Sequence, residues 1–278
     1  MLANILLGIL ILLAIALLIL VVLQLKTRQN IQQMWRLCQT QATSTQQCFT
    51  EEMVAELPTA VQRYFLHAIA PGTPLATVNT LEMRGKFRLG QQQPWLPMSC
   101  KEIITPRGFV WQAEMGQGFL RLQGADYYIN ALGRVQFALW GLIPVANVHD
   151  VDTARSSIGR LVQELVWLPS ALLPQNGVKW REISENTIEA YVKLDDEPIT
   201  LTLVIDGQGR LLEISSPRWG NHTHDGSWAY IPFGGTSPAE NTFGGFTIPA
   251  QINIGWWFGT ERYFDFFQCT IENAQFQS

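Results

Sequence analysis

The sequence predicts an α+β protein: an N-terminal transmembrane helix, then a large curved antiparallel β-sheet forming an open half-barrel, with one amphipathic helix inserted. Three observations carry that reading. Residues 1–25 hold no charged side chain, and Ile5 to Leu25 is apolar almost throughout. From Leu81 onward the hydrophobic pattern has a period of two, and segments of this kind recur to give about ten strands. Between Asp152 and Leu168 that alternation gives way to a helical period.

The apolar run reads ILLGILILLAIALLILVVLQL, interrupted by Gly8 and Gln24. At 1.5 Å per residue, about 20 such residues cross a ~30 Å hydrocarbon core. A cleaved signal peptide would need a basic start, an apolar run of about 7–15 residues and a small-x-small exit, and the segment has none of these. Lys26, Arg28 and Arg36 follow the run and no basic residue precedes it. The positive-inside rule then makes residues 1–25 a single-pass anchor in the plasma (inner) membrane with the C-terminal domain in the cytoplasm. The alternative places that domain on the periplasmic or extracellular side, where Cys38 and Cys48 would pair as a disulfide. The four cysteines, Cys38, Cys48, Cys100 and Cys269, include no CxxC pair and suggest neither a zinc ribbon nor a thioredoxin site.

Residues 26–50 are polar and read as a juxtamembrane helix giving way to a linker at QTQATSTQQ, leaving 51–278 as the β-rich domain. Thr50 with Glu51 and Glu52 caps a short helix, and Pro58 opens a second with Val61, Tyr64 and Phe65 as its buried stripe. Pro71-Gly72 ends it. Leu81, Met83, Gly85, Phe87 and Leu89 then alternate with polar residues, as expected of an antiparallel strand with one solvated face. Further strands are expected over 95–105, 108–115, 119–130 and 134–140, forming a meander. In DTARSSIGRLVQELVWL, Asp152 reads as N-cap and Pro169 as the stop. Ile158, Leu161, Val162, Leu165 and Leu168 share one face, and Ser156, Arg160, Gln163, Glu164 and Trp167 the other.

Strands resume at 179–183, 187–194, 199–205 and 211–216, with Asp206-Gly207 and Gln208-Gly209 marking a hairpin. The Gly-rich stretch from Trp219 to Gly245 reads as a long excursion over one sheet edge. Two apolar strands, 246–258 and 262–275, close the chain. A sheet of this size curls or splits, so the segment 152–173 is expected in its concave side.

The composition is 47% hydrophobic and 15% charged, against about 25% charged in an average soluble domain, which excludes disorder for most of the chain. A net charge of −4 without basic clusters excludes nucleic acid as a partner. GxSxG, HExxH, a Walker A loop and a GxGxxG opening a helix are all missing, which removes the common catalytic classes; no catalytic residue and no cofactor are expected.

LPTAVQRYF at 57–65, RGKF with WLPM at 84–98, PRGFVWQAEM at 106–115, GADYY at 124–128 and GRLVQELVWLPSALLP at 159–174, followed by VKW at 178–180, resemble a bacterial family of uncharacterised membrane-anchored proteins known as a domain of unknown function. The resemblance runs from about residue 51 to the C-terminus and implies an anchor and a β-rich domain but no activity. By architecture alone, the expected fold is similar to lipoprotein-carrier half-barrels that shield acyl chains.

Arg160 and Glu164 stand four residues apart with Trp167 one turn on, so one helical stripe would present a charge pair and an aromatic plate to a ligand; the plain alternative is an exposed ion pair worth about 0.3–0.5 kcal/mol. Trp111 and Tyr128, on predicted strands, complete the ligand-binding candidates. His222 and His224, with Asp225, are weak candidates for a metal site because no third ligand partner is evident. Most of the ten tryptophans are expected to fill the core, with a minority lining a cavity. The expected function is a membrane-tethered module that binds a lipid or other apolar molecule. The alternatives are an envelope scaffold that recruits another protein, and an enzyme in which Glu164, His222 or His224 converge.

Overall fold

The computed structural model describes residues 1–42 and 47–278. Residues 43–46 of the expected linker lie outside the described residues. Helix α1 (Leu2–Gln39) is followed by a 3-10 turn at Glu51–Met53 and by α2 (Thr59–Ala68). The first half of the sheet is β1 (Val78–Phe87), β2 (Leu96–Thr105), β3 (Gly108–Gln117), β4 (Leu120–Ile129), β5 (Leu132–Leu139) and β6 (Ile143–Val148). Helix α3 (Val151–Glu164) and three 3-10 turns lead to β7 (Lys179–Ser184), β8 (Thr187–Leu194), β9 (Glu197–Ile205), β10 (Leu211–Gly220), β11 (Ala229–Phe243), β12 (Phe246–Trp256) and β13 (Phe264–Gln277).

These strands form one antiparallel, 13-stranded open sheet in the order β6-β5-β4-β3-β2-β1-β13-β12-β11-β10-β9-β8-β7. Consecutive strands pair, except that β6 and β7 do not, and β1 also pairs with β13. The open edges are β6 and β7, and the helical segment between them crosses the sheet. The fold is the expected α+β half-barrel.

Alternation along each strand gives the sheet two different faces. On β2, β3 and β4, Ile103, Val110, Ala125, Tyr127 and Ile129 face the C-terminal half of α1 and pack with its Ile31 and Cys38. The Asn30 side chain of α1 donates to the Tyr127 hydroxyl at 2.7 Å. The opposite, concave face carries Ile104, Phe109, Trp111, Leu122 and Tyr128, which join Leu161, Leu165 and Trp167 in the main core. Among the described residues, α1 is the helix long and apolar enough to cross a membrane; its most apolar stretch has a mean hydropathy of 3.6 and is not buried. Its helix continues without a break past Lys26 onto the sheet.

Two expectations and one alternative are corrected. The N-cap of α3 is Asp150, not Asp152: its carboxylate accepts from the Thr153 amide at 2.7 Å, and Asp152 instead accepts from Trp219 Nε1 at 2.8 Å. The exposed ion pair given as the alternative for the second face of α3 does not apply, because Gln163 and Trp167 are buried and Arg160 and Glu164 nearly so. The stretch 219–245 is not an excursion over an edge: most of it is β11, paired along both sides with β10 and β12. Its glycines are what tight pairing requires, since a Cβ at Gly235 would lie 1.7 Å from the Asn253 carbonyl oxygen. A register shift between Thr236 and Ala239 places a bulge at Ser237-Pro238, where proline is tolerated. Strand β6 was also unexpected; it is an exposed edge strand containing Pro144.

Candidate functional site

The site is built where α3 crosses the concave face. Arg160 is the centre of a charge cluster to which three elements contribute. Its Nε lies 2.6 Å from Glu164 Oε1 one turn along α3, Nη1 lies 2.7 Å from Asp126 Oδ2 on β4, and Nη2 lies 2.9 Å from Glu102 Oε1 on β2. Its guanidinium also sits 4.5 Å from the Phe109 ring centroid and 5.1 Å from that of Trp111. Arg218 on β10 lies on the other side of the helix, donating to the Ser156 carbonyl at 3.0 Å and stacking on Phe233 and Trp256 at 4.5 and 5.1 Å. Gly159 gives it room, since a Cβ there would come 3.0 Å from Arg218 Cγ.

Three carboxylates facing two guanidiniums would leave one uncompensated negative charge in a low-dielectric interior, which is costly. Burial, then repulsion from Glu164, pushes the Glu102 carboxyl well above its ordinary range, and Glu102 is only 1% exposed. The shift favours the protonated form of Glu102, and Glu164 Oε2 has no hydrogen-bond partner among the described residues. Burial also raises the Glu164 carboxyl, against the pull of Arg160. Burial alone would lower the Arg160 guanidinium, but its three carboxyl neighbours reverse that and raise it. Arg218 has no such ring of carboxylates, and burial with repulsion from Arg160 pushes it down to about 10. Asp126 Oδ1 and Gln163 Oε1 beside the cluster also lack a donor among the described residues.

Asp126 and Gln163 are among the residues lining a cavity of about 710 Å³ between α3 and the sheet. Its walls are mostly apolar and aromatic, including Trp111, Phe137, Ile252, Trp256 and Phe266, and it reaches the exposed side chains of Leu89, Leu120 and Val145. The volume falls within the roughly 300–1,000 Å³ of small-molecule sites. A second cavity of about 790 Å³ separates α1 from the outer face, where Glu82, Lys101, Gln112, Glu114 and Arg134 give it a polar lining.

The structure brings Arg160, Glu164, Trp111 and Trp167 together in the lining of the inner cavity. The Trp167 indole is fixed by a 3.0 Å hydrogen bond to the Pro249 carbonyl. Tyr128 is not with them: its hydroxyl donates to Asp195 Oδ2 at 2.5 Å, an oxygen pair that ties β4 to the β8–β9 turn, with Arg107 on the other carboxylate oxygen at 2.6 Å. His222 lies at the cavity rim with its ring 4.4 Å from Trp256, while His224 is exposed and outside the lining. Among the described residues no group of three or more His, Cys, Asp or Glu is placed to hold a metal ion. Glu102, Asp126, Gln163 and Arg218 were not foreseen as a site. The signal for three of them lay in strand phase, since Glu102 follows Met98 and Cys100, Asp126 follows Leu122, and Arg218 follows Ile214 on the buried side of their strands.

Residues 55–276 match the model of a family described as a family of unknown function, DUF6920. The sequence blocks from LPTAVQRYF to VKW fall inside that span. No curated protein matches the chain. Among solved structures, a DUF1329 family protein from Desulfovibrio piger aligns with a TM-score of 0.39 and 8% identity over 81% of this chain and 91% of its own. A domain described as an outer membrane lipoprotein-sorting protein, from Vibrio parahaemolyticus, aligns with a TM-score of 0.38 and 8% identity over 82% of this chain and 92% of its own.

Proposed function

The chain belongs to the DUF6920 family of unknown function, and from that footing we propose that it is a single-pass membrane protein whose half-barrel holds a lipid-like ligand. Residues 1–25 of α1 cross the bilayer, and the domain from 51 onward binds the ligand between α3 and the sheet. The observation that supports this reading is an aromatic cavity of about 710 Å³ between α3 and the sheet, with Asp126 and Gln163 among its few polar lining residues. An apolar body matches the walls. A polar group at one end of the ligand would face Asp126 and Gln163. The charge cluster of Arg160 with Glu102, Asp126 and Glu164 holds α3 in register across the sheet.

The experiment is photolabelling of the full chain in vesicles containing a phospholipid with a diazirine near the end of one acyl chain. Adducts on peptides that carry Trp111, Phe137 or Trp256 are expected alongside those on α1. Adducts confined to α1 would overturn the binding reading while leaving the anchor in place.

A further inference from the structure

The rim of the inner cavity carries apolar side chains with no protein cover. Phe119 is 92% exposed at the tip of the β3–β4 hairpin, and Leu89, Leu120, Trp140, Ile143 and Val145 are between 43% and 62% exposed. A contiguous group of this kind marks an interaction surface. Strand register gathers these positions at one end of the sheet. Gln117 faces Leu120 at the hairpin tip, Leu122 faces Leu139 just before Trp140, and Phe87 faces Leu96 across the loop that carries Leu89.

The same end lies beside the apolar part of α1. Gly141 meets Gln24 there, since a Cβ on Gly141 would stand 3.1 Å from Gln24 Nε2 and 2.5 Å from Gln123 Oε1. One further contact along, Asn30 bonds Tyr127, so α1 and β4 run side by side in the same sense. From Gln123 back to Leu120 is three strand residues, or about 10 Å. That length equals about seven residues of helix at 1.5 Å each, which brings the hairpin tip level with about Leu17, well inside the uncharged stretch that ends before Lys26.

We infer that this rim dips into the bilayer that α1 crosses, so that the inner cavity opens directly onto lipid acyl chains. The inference rests on the proposed membrane span. The hairpin tip then lies about 12 Å inside the level of Leu25, slightly deeper than the ~5–10 Å of interfacial apolar helices, and Trp140 is of the residue type enriched at the membrane interface. Leu89, Leu120 and Val145 line the cavity and the rim alike, so insertion would place the mouth in contact with lipid without an aqueous step.

The test uses the full chain in vesicles of phosphatidylethanolamine and phosphatidylglycerol, in a Cys48→Ser background, because the other three cysteines are buried. Nitroxide labels are placed singly through Phe119→Cys, Leu89→Cys, Leu12→Cys in the anchor and Glu185→Cys on the exposed β7–β8 turn. Accessibility to oxygen and to a nickel chelate is read for each. Labels at 119 and 89 are expected to follow the one at 12, with an oxygen-to-nickel ratio several-fold above that at 185. A lipid-like ratio at 12 with water-like ratios at 119 and 89 would overturn the inference and leave the anchor standing. Low accessibility to both reagents at 119 would mean a protein surface covers the rim, which also overturns it. A water-like ratio at 12 would remove the anchor reading and the inference with it.

Discussion

Gly133 on β5 and Ala154 on α3 meet backbone to backbone, so closely that a Cβ on Gly133 would lie 2.4 Å from the Ala154 Cα. This contact seats the helix against one wall of the half-barrel, and the Arg218 contact at Gly159 seats it against the other. The cavity exists because α3 is held at both sides rather than collapsed onto the floor.

A side chain at Gly133 should therefore lift the helix. Gly133→Val is expected to destabilise the domain by about 1–3 kcal/mol, the usual range for overpacking. Thermal and denaturant unfolding of the full chain would measure it, and an unchanged stability would mean that helix and strand are not held in this contact.

Removing the centre of the charge cluster should cost more. Arg160→Ala leaves Glu102, Asp126 and Glu164 facing one another in a buried site, and breaking a buried ion pair from one side costs about 3–5 kcal/mol. A loss below about 1 kcal/mol, the range of exposed pairs, would show that water already solvates the cluster.

The raised Glu102 carboxyl gives a pH signature of definite sign. Its folded carboxyl is raised above the unfolded value of 4.5. As pH climbs past 4.5 the unfolded chain ionises this group while the folded chain does not, so its contribution disfavours folding increasingly until the folded group also ionises. Glu102→Gln mimics the protonated state and removes that term. The variant should melt with the wild type near pH 4 and above it near pH 8. A variant that melts lower at pH 8 would mean Glu102 is ionised in the folded protein.

Filling the cavity should separate binding from folding. Ile254→Trp places a larger ring in the lining from β12, and acyl-chain photolabelling of the half-barrel is expected to fall several-fold while labelling of α1 stays constant. Retained labelling at a normal melting temperature would place the ligand elsewhere.

Most of the fold was legible because its strands alternate cleanly. Leu81 to Phe87, and Trp111 to Met115, declare their buried side in every second residue, and the helical period from Ile158 to Leu165 is equally plain. Strand β11 was hidden because Pro232, Gly234, Gly235 and Pro238 are turn residues by local preference and are strand residues here only through the two neighbours that press against them. The cluster was half legible for a similar reason. Arg160 and Glu164 share a helix and are visible as a pair, but Glu102 and Asp126 come from strands far along the chain, and no local spacing connects them. The exposed ion pair, the plain alternative for that helical face, does not apply, because its polar stripe meets buried carboxyls.

The pairing of β1 with β13 also sets an order of events during synthesis. The strand ending at Phe87 leaves the ribosome long before the one starting at Phe264, and at about 5–20 residues per second the roughly 180 intervening residues take about 10–40 s. Throughout that interval β1 has β2 on one side and a bare row of amide and carbonyl groups on the other, the kind of edge that invites pairing with other chains. The seam of the half-barrel thus lies in the middle of its sheet and is sewn last. A chain stopped short of Phe264 would keep every earlier strand and still expose that edge at the centre of the fold.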